Sequence, residues 1–235
     1  EQLDHLCSLR YTRDELAYLR GLRFIKTDFV DFLRIFQFQR DFIEVRDNDG
    51  TLEIVARGPQ VHVMAFEIHV LTIVNELYFR RVDQAPARAE GRRRLAEKVQ
   101  MLRDFSREPA RRHPFEFFDF GVRRRFSGDW HREVVATLAR EVPEYFKGTS
   151  NVLLARDLGL VPIGTMAHEF LQTYQALGVR LRDFQKAALE SYVLKAKGIS
   201  AGTAATASRV PDFAPASART TAATISASRS ALPSP

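Results

Sequence analysis

Phe115-Glu116-Phe117-Phe118-Asp119-Phe120-Gly121-Val122-Arg123-Arg124-Arg125-Phe126-Ser127 is an aromatic run that stops at a glycine, turns through three arginines and reaches a serine suited to cap a helix. Two further segments share its design: Gly148-Thr149-Ser150-Asn151-Val152 and Gly164-Thr165-Met166-Ala167-His168-Glu169. Each closes an apolar run and leads into helical spacing, so each places small and polar groups where a strand gives way to a helix N-terminus. In α/β proteins that junction binds anions, because unpaired backbone N–H groups and the helix dipole point there.

Working outward, Phe115 to Phe120 reads as a strand and Ser127 to Glu141 as a helix. Tyr145 to Phe146 is a short strand, Asn151 to Leu158 a helix ended by Gly159, Val161 to Ile163 a strand, and Ala167 to Val193 one long helix. Short strands alternating with helices are the βα units of a parallel sheet or barrel. The units present are too few to close a barrel.

Upstream, Thr12 to Arg40 shows phenylalanine-rich helical spacing, read as two short helices broken near Gly21-Leu22. Phe38 to Val45 alternates like a strand, Asp47-Asn48-Asp49-Gly50 is a hairpin turn, and Thr51 to Ala56 returns. His62 to Arg81 and Ala87 to Phe105 resume helical spacing. Glu67, Glu76, His62, His69 and His113 lack metal-ligand spacing and receive no chemistry; no metal site is expected. The expected class is therefore α/β: an α+β N-terminal unit over residues 1–112, the first βα units of an incomplete α/β barrel over 113–193, and a tail over 194–235. From Gly198 onward the chain has no Lys or Glu and is dominated by Ala, Ser, Thr and Pro. Such a composition buries too little apolar surface to offset chain entropy, so the tail is expected to be disordered, and its abrupt onset suggests an out-of-frame ending.

With 235 residues, 45% of them hydrophobic, the chain suffices for one or two domains with a real core. No apolar run approaches the roughly 20 residues that span a bilayer, and the first residues lack a signal-peptide pattern, so a cytoplasmic protein without membrane attachment is expected. The single cysteine, Cys7, excludes an internal disulfide. The net charge of +6 favours anionic partners without distinguishing phosphate ligands from nucleic acid. Arg92-Arg93-Arg94 and Arg111-Arg112 stand among Glu90, Glu97, Asp104 and Glu108, so this is a mixed face rather than a basic stripe, and nucleic acid is not an expected partner.

His168 stands at a predicted first turn of a helix, where N–H donors and the positive helix end attract anions and a neutral imidazole is a competent nucleophile. On spacing alone, a capping histidine without chemistry is the simpler reading. Arg123 to Arg125 follow a strand end, where alternation sends neighbours in different directions; one should face the strand-end cavity while another is solvated. Phe120 suits stacking against a flat ring, although its aromatic neighbours equally suggest core. Gly148-Thr149-Ser150-Asn151 offers hydroxyls and backbone N–H groups for an anion, yet the same residues make good N-caps.

The three segments in this order resemble nicotinate phosphoribosyltransferase, whose barrel carries Asp-Phe-Gly-x-Arg-Arg, then Gly-Thr-Ser-Asn, then Gly-Thr-x-Ala-His-Glu. The resemblance runs from about residue 1 to Val193 and includes Asn48-Asp49-Gly50, Gly58-Pro59 and the helix with Glu67, departing at His69, where proline is usual. It implies a phosphoribosyltransferase-type α/β barrel and an ATP-coupled, ligase-type enzyme of NAD salvage. Nicotinate and phosphoribosyl pyrophosphate would become nicotinate mononucleotide and pyrophosphate, with ATP and Mg2+ as co-substrate and activator and no tightly bound cofactor. It further implies that His168 is the phosphohistidine, that Phe120 stacks on the pyridine ring, and that Arg123 lies near the base and phosphate positions. Gly121, Thr149, Ser150 and Thr165 complete the substrate-binding set. Ser150 stands where nicotinamide-specific relatives carry an aspartate; serine can donate to a carboxylate that aspartate would repel. The family is a homodimer with sites built from two subunits. Its Asp-Thr-Asp-x-Tyr and His-Asp-Ser-Gly-Asp elements and its Gly-rich phosphate turn are not in this sequence. The 235 residues alone are accordingly expected to be a fragment truncated at both ends and inactive. The alternative is a non-catalytic binding or regulatory relative that keeps a partial ligand site or pairs with a full-length subunit.

Overall fold

A computed structural model describes residues 1–106, 115–164, 168–178, 180–196 and 221–228. The elements are α1 (Gln2–Ser8), α2 (Arg13–Arg20), α3 (Thr27–Ile35), β1 (Ile43–Asn48), β2 (Thr51–Gly58), α4 (Gln60–Phe79), α5 (Gln84–Ser106), β3 (Phe117–Asp119), α6 (Gly128–Glu141), β4 (Phe146–Thr149), α7 (Val152–Leu158), β5 (Val161–Pro162), α8 (His168–Ala176), α9 (Phe184–Ala196) and β6 (Thr221–Ser228). Packing divides the chain into two compact units, Glu1–Leu6 with Ala65–Gly164, and Cys7–Met64 with Thr165–Pro235. The division falls within α4 rather than after residue 112.

In the second of these units, Thr12 starts α2 through a capping box: its hydroxyl accepts from the Glu15 N–H at 3.3 Å while the Glu15 carboxylate accepts from the Thr12 N–H at 2.8 Å. The expected break near Gly21 is present, and Arg20 pairs with Asp31 of α3 at 2.6 Å. Val30 is wholly buried, with Leu33 and Phe36 beside it in sequence spacing on the same face. The returning hairpin follows expectation except at its start, where Arg40–Phe42 form a 3₁₀ turn and β1 begins only at Ile43. The Phe42 ring lies on the bare backbone of Gly58, where a Cβ would come within 2.8 Å of it. Asp49 and Gly50 both take positive φ, 51° and 80°, the twisted turn that a two-residue hairpin needs.

Two expectations are corrected in this unit. The single helix over Ala167–Val193 is instead α8 and α9, separated around Gly178, which adopts φ 77° and ends the first helix in the left-handed conformation. Part of the low-complexity tail also departs from the expected disorder: β6 runs antiparallel to β2 with Ile225 opposite Ile54. Thr221, Thr224 and Ile225 are β-branched, and the open edge of β2 offers backbone donors and acceptors to any extended segment.

The other unit contains a parallel sheet in the order β3-β4-β5, each strand joined to the next by a helix. Leu95 and Val99 of α5, Val135 of α6, Leu154 of α7, and Val142, Tyr145 and Phe146 form its core. Two glycines set the spacing of these layers. At Gly91 a Cβ would meet the Trp130 ring at 2.8 Å, so α5 and α6 pack closely there. At Gly148 a Cβ would lie 2.1 Å from the Val161 carbonyl oxygen, so only glycine permits β5 to pair with β4. The arginine-rich face of α5 is neutralised within the fold: Arg92 pairs with Glu133, and Arg93 and Arg94 with Glu90. Among the described residues no helix is long and apolar enough to cross a membrane.

Candidate functional site

Asp119 and Thr149 are the last residues of β3 and β4 and stand opposite one another in the parallel register. Both side chains fold back on their own backbone. Asp119 Oδ1 accepts from the Gly121 N–H at 3.0 Å, and Thr149 Oγ1 accepts from the Asn151 N–H at 3.0 Å. Each bond spans one intervening residue, the side-chain-closed turn that Asp and Thr favour. The intervening residues are Phe120 and Ser150.

The two turns are joined to each other. The Thr149 hydroxyl donates to Asp119 Oδ2 at 2.6 Å, and the Ser150 N–H donates to the Asp119 carbonyl oxygen at 2.8 Å. Phe120 and Ser150 are therefore presented side by side at the C-terminal edge of the sheet, where α/β proteins place ligands. Phe120 is 48% exposed, an unusual state for a phenylalanine next to a core. The Ser150 hydroxyl has no hydrogen-bond partner among the described residues; the N-cap of α7 is Asn151, which accepts from the Leu154 N–H. That frees the serine for other work.

The three arginines do take different surroundings, but a 3₁₀ turn over Val122–Arg124 directs them rather than the strand alternation expected. Arg123 is anchored by the Glu67 carboxylate, Arg125 Nε donates to Glu76 at 2.6 Å, and Arg124 is exposed. The 3₁₀ turn that carries them, Val122–Arg124, is fastened to α4: Thr72 Oγ1 donates to the Val122 carbonyl at 3.2 Å and Asn75 Nδ2 to that of Arg123 at 3.0 Å. Arg123 remains partly exposed and has further N–H donors for an anion. Ser127 caps α6 by accepting from the Trp130 N–H.

Two residues expected to bind substrate do something else. Thr149 is completely buried and its hydroxyl is committed to Asp119 and Asn151, so it holds the turn rather than facing solvent. Gly121 spends its N–H on Asp119, and a Cβ there would come within 2.9 Å of Oδ1, so glycine allows the turn to close. Thr165 lies outside the described residues. His168 is the first residue of α8, and its side chain lies outside them too.

The sequence reading missed His131. Only 4% exposed, it places Nε2 2.7 Å from Asp119 Oδ2. It shares an i, i+4, i+7, i+11 stripe with Val135, Leu138 and Val142, and a histidine on an apolar stripe was the available signal. Burial pushes the Asp119 carboxyl up, but hydrogen bonds from His131 and Thr149, the imidazole's charge and the Gly121 N–H outweigh it and hold Asp119 below its usual value. The site thus holds an exposed ring and a hydroxyl without a partner among the described residues at the edge of a largely buried carboxylate, with the anchored Arg123 on the turn that follows. No group of three or more His, Cys, Asp and Glu among the described residues offers a metal a ligand set.

Comparison with known proteins bears on the same segments. The model of the nicotinate phosphoribosyltransferase family matches residues 115–222, past Val193, and that of the family's N-terminal domain matches residues 1–75. Nicotinate phosphoribosyltransferase of Herminiimonas arsenicoxydans is 66% identical over 197 residues, 84% of this chain and 50% of the relative; that of Acinetobacter baumannii is 56% identical over 200 residues, again 84% and 50%. The crystal structure of the Vibrio cholerae nicotinate phosphoribosyltransferase superposes with a TM-score of 0.72 at 32% identity, covering 83% of this chain and 46% of that one. That of the Porphyromonas gingivalis nicotinate phosphoribosyltransferase gives 0.73 at 30%, covering 84% and 49%. The chain spans about half the length of the curated relatives it matches. With both family models, these relatives and these folds in agreement, the chain belongs to the nicotinate phosphoribosyltransferase family.

Proposed function

We propose that the chain supplies the base-binding half of an enzyme that joins nicotinate to phosphoribosyl pyrophosphate for NAD synthesis, in the cytoplasm and as a homodimer. The carrying observation is the pair of joined turns that hold an exposed Phe120 beside a Ser150 hydroxyl without a partner among the described residues. The pyridine ring stacks on Phe120, which desolvates one face. Ser150 donates to the carboxylate, and Arg123 supplies the compensating charge. The ring nitrogen then bonds to ribosyl C1 as the C1–O bond to pyrophosphate breaks, the electron pair leaving with pyrophosphate.

His168 is assigned the phosphoryl acceptor: a ring nitrogen bonds to the γ-phosphorus of ATP, ADP leaves with the electron pair, and hydrolysis of the phosphohistidine accompanies turnover. Family membership supports this, as does a place at the start of α8, where a helix N-terminus favours anions. Magnesium would arrive bound to the pyrophosphate and ATP substrates; the described residues give it no ligand set, and no step is assigned to it.

Calorimetric titration of the chain with nicotinate tests the base site. Binding is expected, and Phe120→Ala should weaken it about ten-fold, the stacking value of one ring; equal affinity of the two proteins would contradict the assignment. Incubation with ATP followed by mass analysis should find an acid-labile phosphate on His168 that His168→Ala lacks.

A further inference from the structure

His131 is a buried histidine whose ring reaches the network beneath the base site, and the reaction as proposed makes no use of it. Its Nε2 meets Asp119 Oδ2 at 2.7 Å, and its Nδ1 has no hydrogen-bond partner among the described residues. The Asp119 carboxylate acts as acceptor, receiving the Thr149 hydroxyl on the same oxygen and the Gly121 N–H on the other. Nε2 must then carry the proton it donates.

The geometry points to His131 as a positioning residue that, through Asp119, holds the turns around Phe120 and Ser150 in one fixed spacing. The Asp119 carboxylate receives the Gly121 N–H and the Thr149 hydroxyl, and that hydroxyl in turn accepts the Asn151 N–H, so rotation of the carboxylate would loosen both turns together. Thr149 and His131 share Oδ2, and the ring of His131 also flanks the position where a Cβ on Gly121 would stand, at 3.5 Å. A donor on α6, a helix that contributes nothing exposed to the ligand, sets the distance between the stacking ring and the carboxylate-binding hydroxyl. This rests on the base site proposed above for its consequence, but not for its mechanics.

Two variants and two readouts separate these. His131→Gln keeps an N–H donor at nearly the same reach; His131→Leu keeps bulk and removes the donor. Amide hydrogen exchange of the ligand-free chain is measured first. In His131→Leu the Gly121 and Asn151 amides should exchange together, at least about ten-fold faster than in the parent, the value of a hydrogen bond to a charged group. Core amides of β4 should stay protected, and His131→Gln should remain within about two-fold of the parent. Nicotinate titration of the same proteins should show His131→Leu weakened about ten-fold and His131→Gln nearly unaffected. Unchanged exchange at Gly121 and Asn151, or uniform acceleration across the unit, would overturn the positioning role whether or not nicotinate binds. A parent chain that binds no nicotinate but shows the selective exchange would instead overturn the base-site reading and leave the positioning role standing.

Discussion

The hairpin turn and the base-site turn use the same device with different consequences. At the hairpin, Asp47 Oδ1 accepts from the Gly50 N–H at 2.8 Å; at the site, Asp119 Oδ1 accepts from the Gly121 N–H at 3.0 Å. Asp47 is exposed and serves its own turn. Asp119 is largely buried, and its second oxygen ties together residues from β4 and α6. A local turn becomes a functional platform when the capping carboxylate is withdrawn from water and given partners distant in sequence.

The sharpest way to break the site is to separate its strands. Gly148→Ala should place a methyl on the Val161 carbonyl, backbone against backbone, and cost at least about 3 kcal/mol; chemical denaturation measures it. Asp119→Ala should come next, at about 2–3 kcal/mol, because it strands the buried Thr149 hydroxyl and His131 N–H. Asp47→Ala should cost only about 0.5 kcal/mol, as befits an exposed turn. Near-equal losses for the two aspartates would dissolve the contrast.

Acid titration sharpens the same comparison. The folded Asp119 carboxyl ionises more readily than the unfolded one, so its network adds stability that is fully present above the unfolded value, about 3.9. That stability fades as pH falls through the lower folded value. Unfolding free energy followed from pH 6 to pH 2 should therefore decline less steeply in Asp119→Asn than in the parent; identical acid limbs would count against the network.

What could be read from the sequence follows the same division. The capping box at Thr12, the Asp49-Gly50 turn and the first two strand-end segments are signalled within a few residues, and each was legible. The break at Gly178 was signalled just as locally, yet the long apolar spacing of Ala167–Val193 hid it. The partnerships of Asp119 with His131 and of Arg123 and Arg125 with Glu67 and Glu76 join elements through tertiary packing, so the pattern along one helix shows only that the residues are there. Thr149 looked like a ligand hydroxyl because its burial is decided by β3 and β5, not by its neighbours in sequence.

The central claim is that the joined turns present Phe120 and Ser150 to an aromatic acid. Competitive binding of nicotinate and nicotinamide to the parent chain and to Ser150→Asp tests it most directly. The parent should prefer nicotinate; the aspartate, repelling a carboxylate and accepting from an amide N–H₂, should shift the ratio toward nicotinamide by about 100-fold or more. An unchanged ratio would show that Ser150 does not face the ligand's acid group and would contradict the account.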